Sequence, residues 1–230
     1  MMDAEGGSTR WSLVLAAGSA DAGAGDALQA LLAAYRPVIL AWFRRHAGSD
    51  AADDATQAFL LHFVEHRLAA RADRERGSFR AFLHAAMQNH HRQAWRDAHA
   101  ARRDAGLPAG EAALAALADP APDVAAAFDR DWALQVVARA AERLRTEATR
   151  AGKARLFAAL QPFLVEPPAA ADYARIGGEL GMSANHVAVA VRRLRERLRD
   201  HVRRELADTL AAGADVDAEL AWLRRALRGD

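Results

Sequence analysis

Residues 172–205 read DYARIGGELGMSANHVAVAVRRLRERLRDHVRRE. A short apolar-periodic stretch runs into Gly181, a serine follows at 183, and a long segment crowded with arginine comes next. Counting from Tyr173, Ile176 is fourth, Gly177 fifth, Leu180 eighth, Gly181 ninth, Met182 tenth and Val187 fifteenth. This is the spacing of a helix-turn-helix. The small fifth residue lets two helices cross closely. The ninth leaves the first helix with positive φ, which glycine adopts without steric cost. Ser183 is then expected to cap the second helix. Along that helix Val187, Val191, Leu194, Leu198 and Val202 share one side and are expected inside. Asn185, His186, Ala188, Val189, Arg192, Arg193 and Glu196 are expected outside. In a helix-turn-helix the N-terminal part of this second helix enters the major groove, and arginines meet phosphates or guanine edges. An ordinary αα-hairpin with a solvated arginine face explains the apolar pattern equally well. Turn spacing and charge together favour DNA.

The charge is local. Over 230 residues the formal net charge is only +1, yet residues 192–204 hold seven arginines against Glu196 and Asp200. Residues 50–54 hold three aspartates and no base. One basic and one acidic surface suggest two different partners. Hydrophobic residues make up 52% of the chain and β-branched residues are sparse, so an all-α fold is expected. The absence of cysteine excludes disulfides, thiolate metal sites and cysteine nucleophiles. No apolar run approaches membrane-spanning length. The stretch WSLVLAAGSA at 11–20 has only a short apolar part, and Asp3 and Glu5 precede it where a leader carries positive charge, so it reads as a first helix and not a secretory leader. A cytoplasmic protein without a membrane partner is expected.

After that first short helix, three long helices are expected in a first domain, residues 1–103. Leu28, Leu31, Leu32, Tyr35, Val38, Ile39, Trp42 and Phe43 form a helical stripe that ends at Gly48, with Ser49 as the next cap. A helix over about 50–70 carries Phe59, Leu60, Phe63, Val64 and Leu68. Ser78 caps a third, in which Phe79, Phe82, Leu83, Ala86, Met87 and His90 form the core side. Its other side, with Arg80, His84, Gln88, Asn89, His91, Arg92, Trp95 and Arg96, is basic and partly aromatic. Such a face suits unpaired bases and phosphates, although a solvated amphipathic helix has the same pattern. Adjacent His90 and His91 diverge on a helix, so no metal site is expected. Residues 104–127 hold three of the seven prolines and read as a linker. A second domain, 128–230, contains the quoted stretch and a closing amphipathic helix with Leu220, Trp222, Leu223 and Leu227, expected to pack on that domain.

Taken together, these motifs resemble the extracytoplasmic-function group of bacterial sigma-70-type RNA polymerase sigma factors. SDAADDATQAFL looks like the acidic region-two helix of that family. RERGSFRAFLHAAMQNHHRQAW looks like the segment that follows it, and residues 172–205 look like the promoter-reading motif of region four. TRWSLVLAAG and AGKARLFAALQPFL resemble a subgroup often encoded near serine/threonine kinases. The resemblance implies a non-enzymatic protein without cofactor that binds core RNA polymerase and directs it to promoter DNA. It places Asp50, Asp53, Asp54 and Gln57 against the clamp helices of the largest polymerase subunit. It gives the third helix to the minus-ten element. It gives Ser183, Asn185, His186, Ala188, Val189, Arg192 and Arg193 to the minus-thirty-five element. It makes Thr56 a candidate phosphorylation site, with a serine/threonine kinase or an anti-sigma factor as further partners. Two positions depart from the family: Ala58 stands where glutamate is usual, and Ala188 where a polar residue is frequent. The alternatives are a stand-alone helix-turn-helix regulator, which leaves the acidic helix unexplained, and a helical sigma antagonist or adaptor that does not read DNA.

Overall fold

The computed structural model describes residues 10–104, 122–210 and 213–229. Among them are ten α-helices, one 3-10 turn and no strand. They are α1 (Arg10–Gly18), α2 (Ala24–Ala47), α3 (Ala52–Glu65), α4 (Leu68–Arg71), α5 (Phe79–Asp104), α6 (Pro122–Arg150), α7 (Ala154–Leu160), α8 (Ala170–Leu180), α9 (Ala184–Ala207) and α10 (Val216–Arg228). The 3-10 turn, Gln161–Phe163, follows α7. Of the expected linker, 105–121 lies outside the described residues, whereas 122–127 is the start of α6. The helical reading is natural there. Proline is tolerated in a first helical turn, and the three alanines that follow Val124 are the best helix formers.

The described residues form two compact units, one drawn from 10–135 with 208–229 and the other of 136–207. Both expected boundaries therefore move. The first turns of α6 and the closing helix α10 belong with the first unit and not with residues 136–207.

In the first unit an aromatic core does most of the packing. Trp11, Tyr35, Trp42, Phe43, Phe59, Phe63, Phe79, Phe128 and Trp132 are all buried. Tyr35 stacks on Trp132 with centroids 5.0 Å apart, and Trp11 meets Phe79 edge to face at 6.1 Å. Each such ring removes a large apolar area from water, and the ring geometries add to that. The α2 stripe buries Leu31, Tyr35, Val38, Ile39, Trp42 and Phe43 as expected. α2 ends at Gly48 with φ 82°. Ser49 does not cap α3; Ala51 stands at that position without a side-chain bond. The expected single helix over 50–70 is two, because Arg67 takes φ 50° and breaks the path between α3 and α4. Ser78 does cap α5, its Oγ accepting from the Ala81 N–H at 3.3 Å. Residues 208 and 209 dock by main-chain bonds: Trp11 N–H donates to the Asp208 carbonyl at 2.9 Å and Phe79 N–H to that of Thr209 at 3.1 Å. Leu220 and Leu223 of α10 are buried in the same unit, and Asp215 caps that helix by accepting from the Asp217 N–H at 2.8 Å.

In the second unit, Leu160, Ile176, Val187 and Val191 form a buried cluster, with Leu156, Phe163, Tyr173, Leu180, Met182 and Leu194 packed against it. Leu198 and Val202 extend the buried side of α9. The far end of α9 also carries polar groups inward. Glu205, 1% exposed, is ion-paired with Arg143 at 2.7 Å, and His201 lies 3.1 Å from Glu147, which also meets Arg197.

Candidate nucleic-acid interface

The crossing of α8 and α9 is built around two glycines. Gly177 is buried, and a Cβ there would sit 2.5 Å from the Met182 carbonyl oxygen. That close approach is held by the Met182 N–H, which donates to the Gly177 carbonyl at 2.8 Å. Gly181 takes φ 67° and ψ 35°, the left-handed conformation that closes α8. Ser183 then accepts from the His186 N–H at 3.3 Å. At the start of α8, Asp172 accepts from the Ala169 N–H at 3.1 Å. Hydrogen bonds from Arg175 and from that N–H hold the Asp172 carboxyl below its ordinary pKa.

The outer surface of α9 follows from its period. Ser183, Asn185, His186, Arg192 and Arg193 are exposed, and Ala188 and Val189 are half-buried at the edges of the same face. Arg192 reaches Glu196 only at 3.8 Å, with both side chains more than half exposed, so water screens the pair and leaves the guanidinium available. Arg193 has no carboxylate partner among the described residues. All seven residues expected on this face are thus brought together along one stretch of helix.

Asp50, Asp53, Asp54 and Gln57 are exposed around the start of α3, with Arg36 of α2 at 3.2 Å from Asp53. An acidic edge at a helix N-terminus is electrostatically favourable on its own, and its exposure leaves it able to meet a basic partner. Beside it Leu28, Leu32, Leu60 and Val64 line an apolar groove of about 400 Å³.

Thr56 does not belong to this edge. It is 0% exposed and lies in the buried stripe Ala52, Thr56, Phe59, Phe63, with no hydrogen-bond partner for its hydroxyl among the described residues. A kinase has no access to it in this fold, which corrects the expected modification site. Thr56→Glu is therefore expected to destabilise rather than to activate, by about 3 kcal/mol or more, because it buries an unpaired carboxylate. Thr56→Val removes only an unsatisfied hydroxyl and is expected to be neutral or slightly stabilising. Thermal unfolding of the two variants checks both signs.

The expected minus-ten face on α5 divides. Arg80 is committed inside the first unit: it pairs with Asp129 at 2.5 Å and Glu219 at 3.6 Å, and its guanidinium lies 3.8 Å from the ring centroid of Trp222. Burial raises the Glu219 carboxyl above its ordinary pKa. His84 stacks on Phe128 with centroids 4.4 Å apart and planes 11° from parallel, and Gln88 lies against it at 3.4 Å. His91 packs edge-on against Trp42 and Phe43. Arg80, His84 and His91 are thus part of the packing, not of an open surface. Asn89 and Arg96 are exposed, Arg92 and Trp95 are half-buried, and Trp95 stacks on His99. Asn89, Arg92 and Arg96 line an open groove of about 560 Å³ with His62, His90 and Gln93. Neither His62 nor Gln93 is marked by the sequence pattern. His62 reaches the groove because α3 crosses α5 there, with the His62 and His90 rings 4.8 Å apart.

Five histidines of this unit, His46, His62, His84, His90 and His91, have their pKa lowered from 6.5, in each case chiefly by burial and in part by neighbouring positive charge. The unfolded chain therefore binds protons on these groups before the folded one does. Stability is complete above pH 6.5 and is lost as pH falls through 6.5 and then through the lower folded values. Glu219 works in the opposite sense, its contribution being lost as pH rises from 4.5 through its raised folded value. Urea midpoints are expected to fall between about pH 8 and about pH 5.5, and replacing His91 and His46 by glutamine is expected to flatten that dependence.

Among the described residues no group of three or more histidines and carboxylates is arranged to hold a metal ion, and no helix is long and apolar enough to cross a membrane. No family model, no curated protein and no solved structure matches this chain.

Proposed function

We propose that this chain is an alternative sigma factor of the extracytoplasmic-function type, in which α8 and α9 act as a helix-turn-helix that reads promoter DNA and the acidic start of α3 engages core RNA polymerase. The observation that carries the reading is the α8–α9 crossing: a buried Gly177 against Met182, a left-handed Gly181, a Ser183 cap, and beyond them a face of Asn185, His186, Arg192 and Arg193 without strong internal partners among the described residues. Arginine is the side chain that best matches phosphate and guanine edges. The acidic edge, exposed and separate in sequence from the arginine face, supports a second partner of opposite charge. The open groove along Asn89, Arg92 and Arg96 supports a role for α5 in holding single-stranded DNA, with Arg80, His84 and His91 acting as its support.

The test of the polymerase half is charge reversal. Asp53→Arg with Asp54→Arg is expected to weaken binding to core polymerase at least tenfold in a competition assay while leaving DNA affinity unchanged. Unaltered polymerase binding, or a fall in DNA affinity in its place, contradicts that division of labour.

A further inference from the structure

Where α3 crosses α5, three imidazoles pack against one another as tilted stacks. The centroid of the His62 ring lies 4.1 Å from that of His66 and 4.8 Å from that of His90. Both His62 and His90 line the open groove, beside Asn89, Arg92 and Arg96. The charge that faces them is nearly all positive. α3 presents His66 and Glu65 to His62, and α4 presents Arg71. α5 sets His91 beside His90 and places Arg92, Arg96 and Asp97 along the groove. Phe43 of α2 and Phe59 of α3 pack edge-on against the His90 ring. Asp97 is the one carboxylate in the groove among the described residues, and it accepts from Gln93 at 2.7 Å. Arg92 has no ion-pair partner among the described residues. Among those residues no trio of histidines and carboxylates is arranged to hold a metal ion.

Burial and neighbouring cations both disfavour an imidazolium. His62 and His90 accordingly have their pKa lowered from 6.5, chiefly by burial. An oxyanion in the groove reverses that balance, because it supplies the negative partner that the site lacks. We infer that His62 and His90 form a proton-coupled seat for a phosphodiester group of a single strand lying in this groove. One imidazole takes a proton from solvent on its free ring nitrogen as the phosphate arrives. It then donates a charge-assisted hydrogen bond to a phosphate oxygen, and no covalent bond forms or breaks. The inference rests on the single-strand reading of α5 proposed above and adds to it a dependence on pH. Two imidazoliums stacked this closely repel, so about one proton is taken up for each phosphate seated. Affinity therefore rises as pH falls through the raised pKa of the bound state and levels off below the lowered pKa of the free state. Arg92 and Arg96, charged throughout, contribute without that dependence.

The test is the binding of oligothymidylate, whose bases and phosphodiesters do not titrate near neutrality, by the full chain alone and with core polymerase. Wild-type affinity is expected to rise about five- to tenfold from about pH 7.5 to about pH 6. Calorimetry in two buffers of different ionisation enthalpy is expected to show uptake of about one proton. His62→Gln and His90→Gln keep a hydrogen-bonding group that cannot charge. Each is expected to reduce the rise to about two- to threefold, and the double variant to remove it. Arg92→Gln is expected to lower affinity at both pH values and to keep the rise. Circular dichroism at each pH checks that the helices remain, and the two single variants decide the matter if the double variant does not fold. A wild-type affinity that does not change with pH overturns the seat alone. So does a rise that persists undiminished in both single variants, which would place the proton on His186 or on the histidines around Trp42. A chain that binds no oligothymidylate at either pH, alone or with polymerase, overturns the single-strand reading of α5 as well as the seat.

Discussion

Replacing Arg192 and Arg193 together by alanine is expected to cut promoter-directed transcription about 100-fold while leaving polymerase binding intact. Both guanidiniums are exposed at the outer face of α9, one loosely paired and one without a carboxylate partner among the described residues. Removing them therefore breaks no packing, and the folded chain is expected to keep its stability within about 0.5 kcal/mol. Each arginine on a base edge or a phosphate is worth roughly 1–3 kcal/mol. Two losses of about 1.4 kcal/mol, near the lower end of that range, give about two orders of magnitude. Run-off yield and a polymerase pull-down on the same preparations separate the two effects. Loss of both together would contradict the separation of the arginine face from the acidic edge.

The second large effect is one of sign. Glycine to alanine inside a helix normally stabilises by about 1 kcal/mol. Gly178→Ala is expected to do so, since a Cβ there has nothing within 4 Å. Gly177→Ala, one residue earlier, drives its methyl to 2.5 Å from the Met182 carbonyl, a backbone atom that cannot turn away. It is expected to destabilise by about 3 kcal/mol and to move α8 away from the start of α9, with DNA affinity lost in step. Denaturant unfolding of the two neighbours is an internally controlled pair. Equal behaviour would mean that the two helices do not cross as closely as described.

Much of this fold is legible in the chain because it follows from local rules. The α2 stripe, the Ser78 cap, the Gly48 stop, and the roles of Gly177, Gly181 and Ser183 each depend on residues within a turn or two of one another. The failures have two kinds of cause. Some are local but lack a marker. Arg67 breaks the 50–70 helix with a left-handed conformation that an arginine does not advertise, and Ser49 is two residues too early to cap α3. Thr56 is readable, since it lies at helical spacing from Phe59 and Phe63, but its aspartate neighbours draw it into the acidic edge. The others are long-range. Nothing near Arg80 says that Asp129, Glu219 and Trp222 surround it, and nothing near His84 says that Phe128 covers it. Nor does the sequence of α10 say which unit its apolar face joins. For the same reason the broad α5 face expected from its period narrows to an open groove centred on Asn89, Arg92 and Arg96, with His62 added from α3.

The first experiment adds the purified, unmodified chain to sigma-free core RNA polymerase on a library of genomic promoter fragments and maps the transcript ends. A sigma factor gives new, discrete start sites that appear only with the chain present and that disappear with the Arg192→Ala and Arg193→Ala double variant. Absence of any chain-dependent start site, together with no detectable association with core polymerase, would contradict the sigma-factor reading.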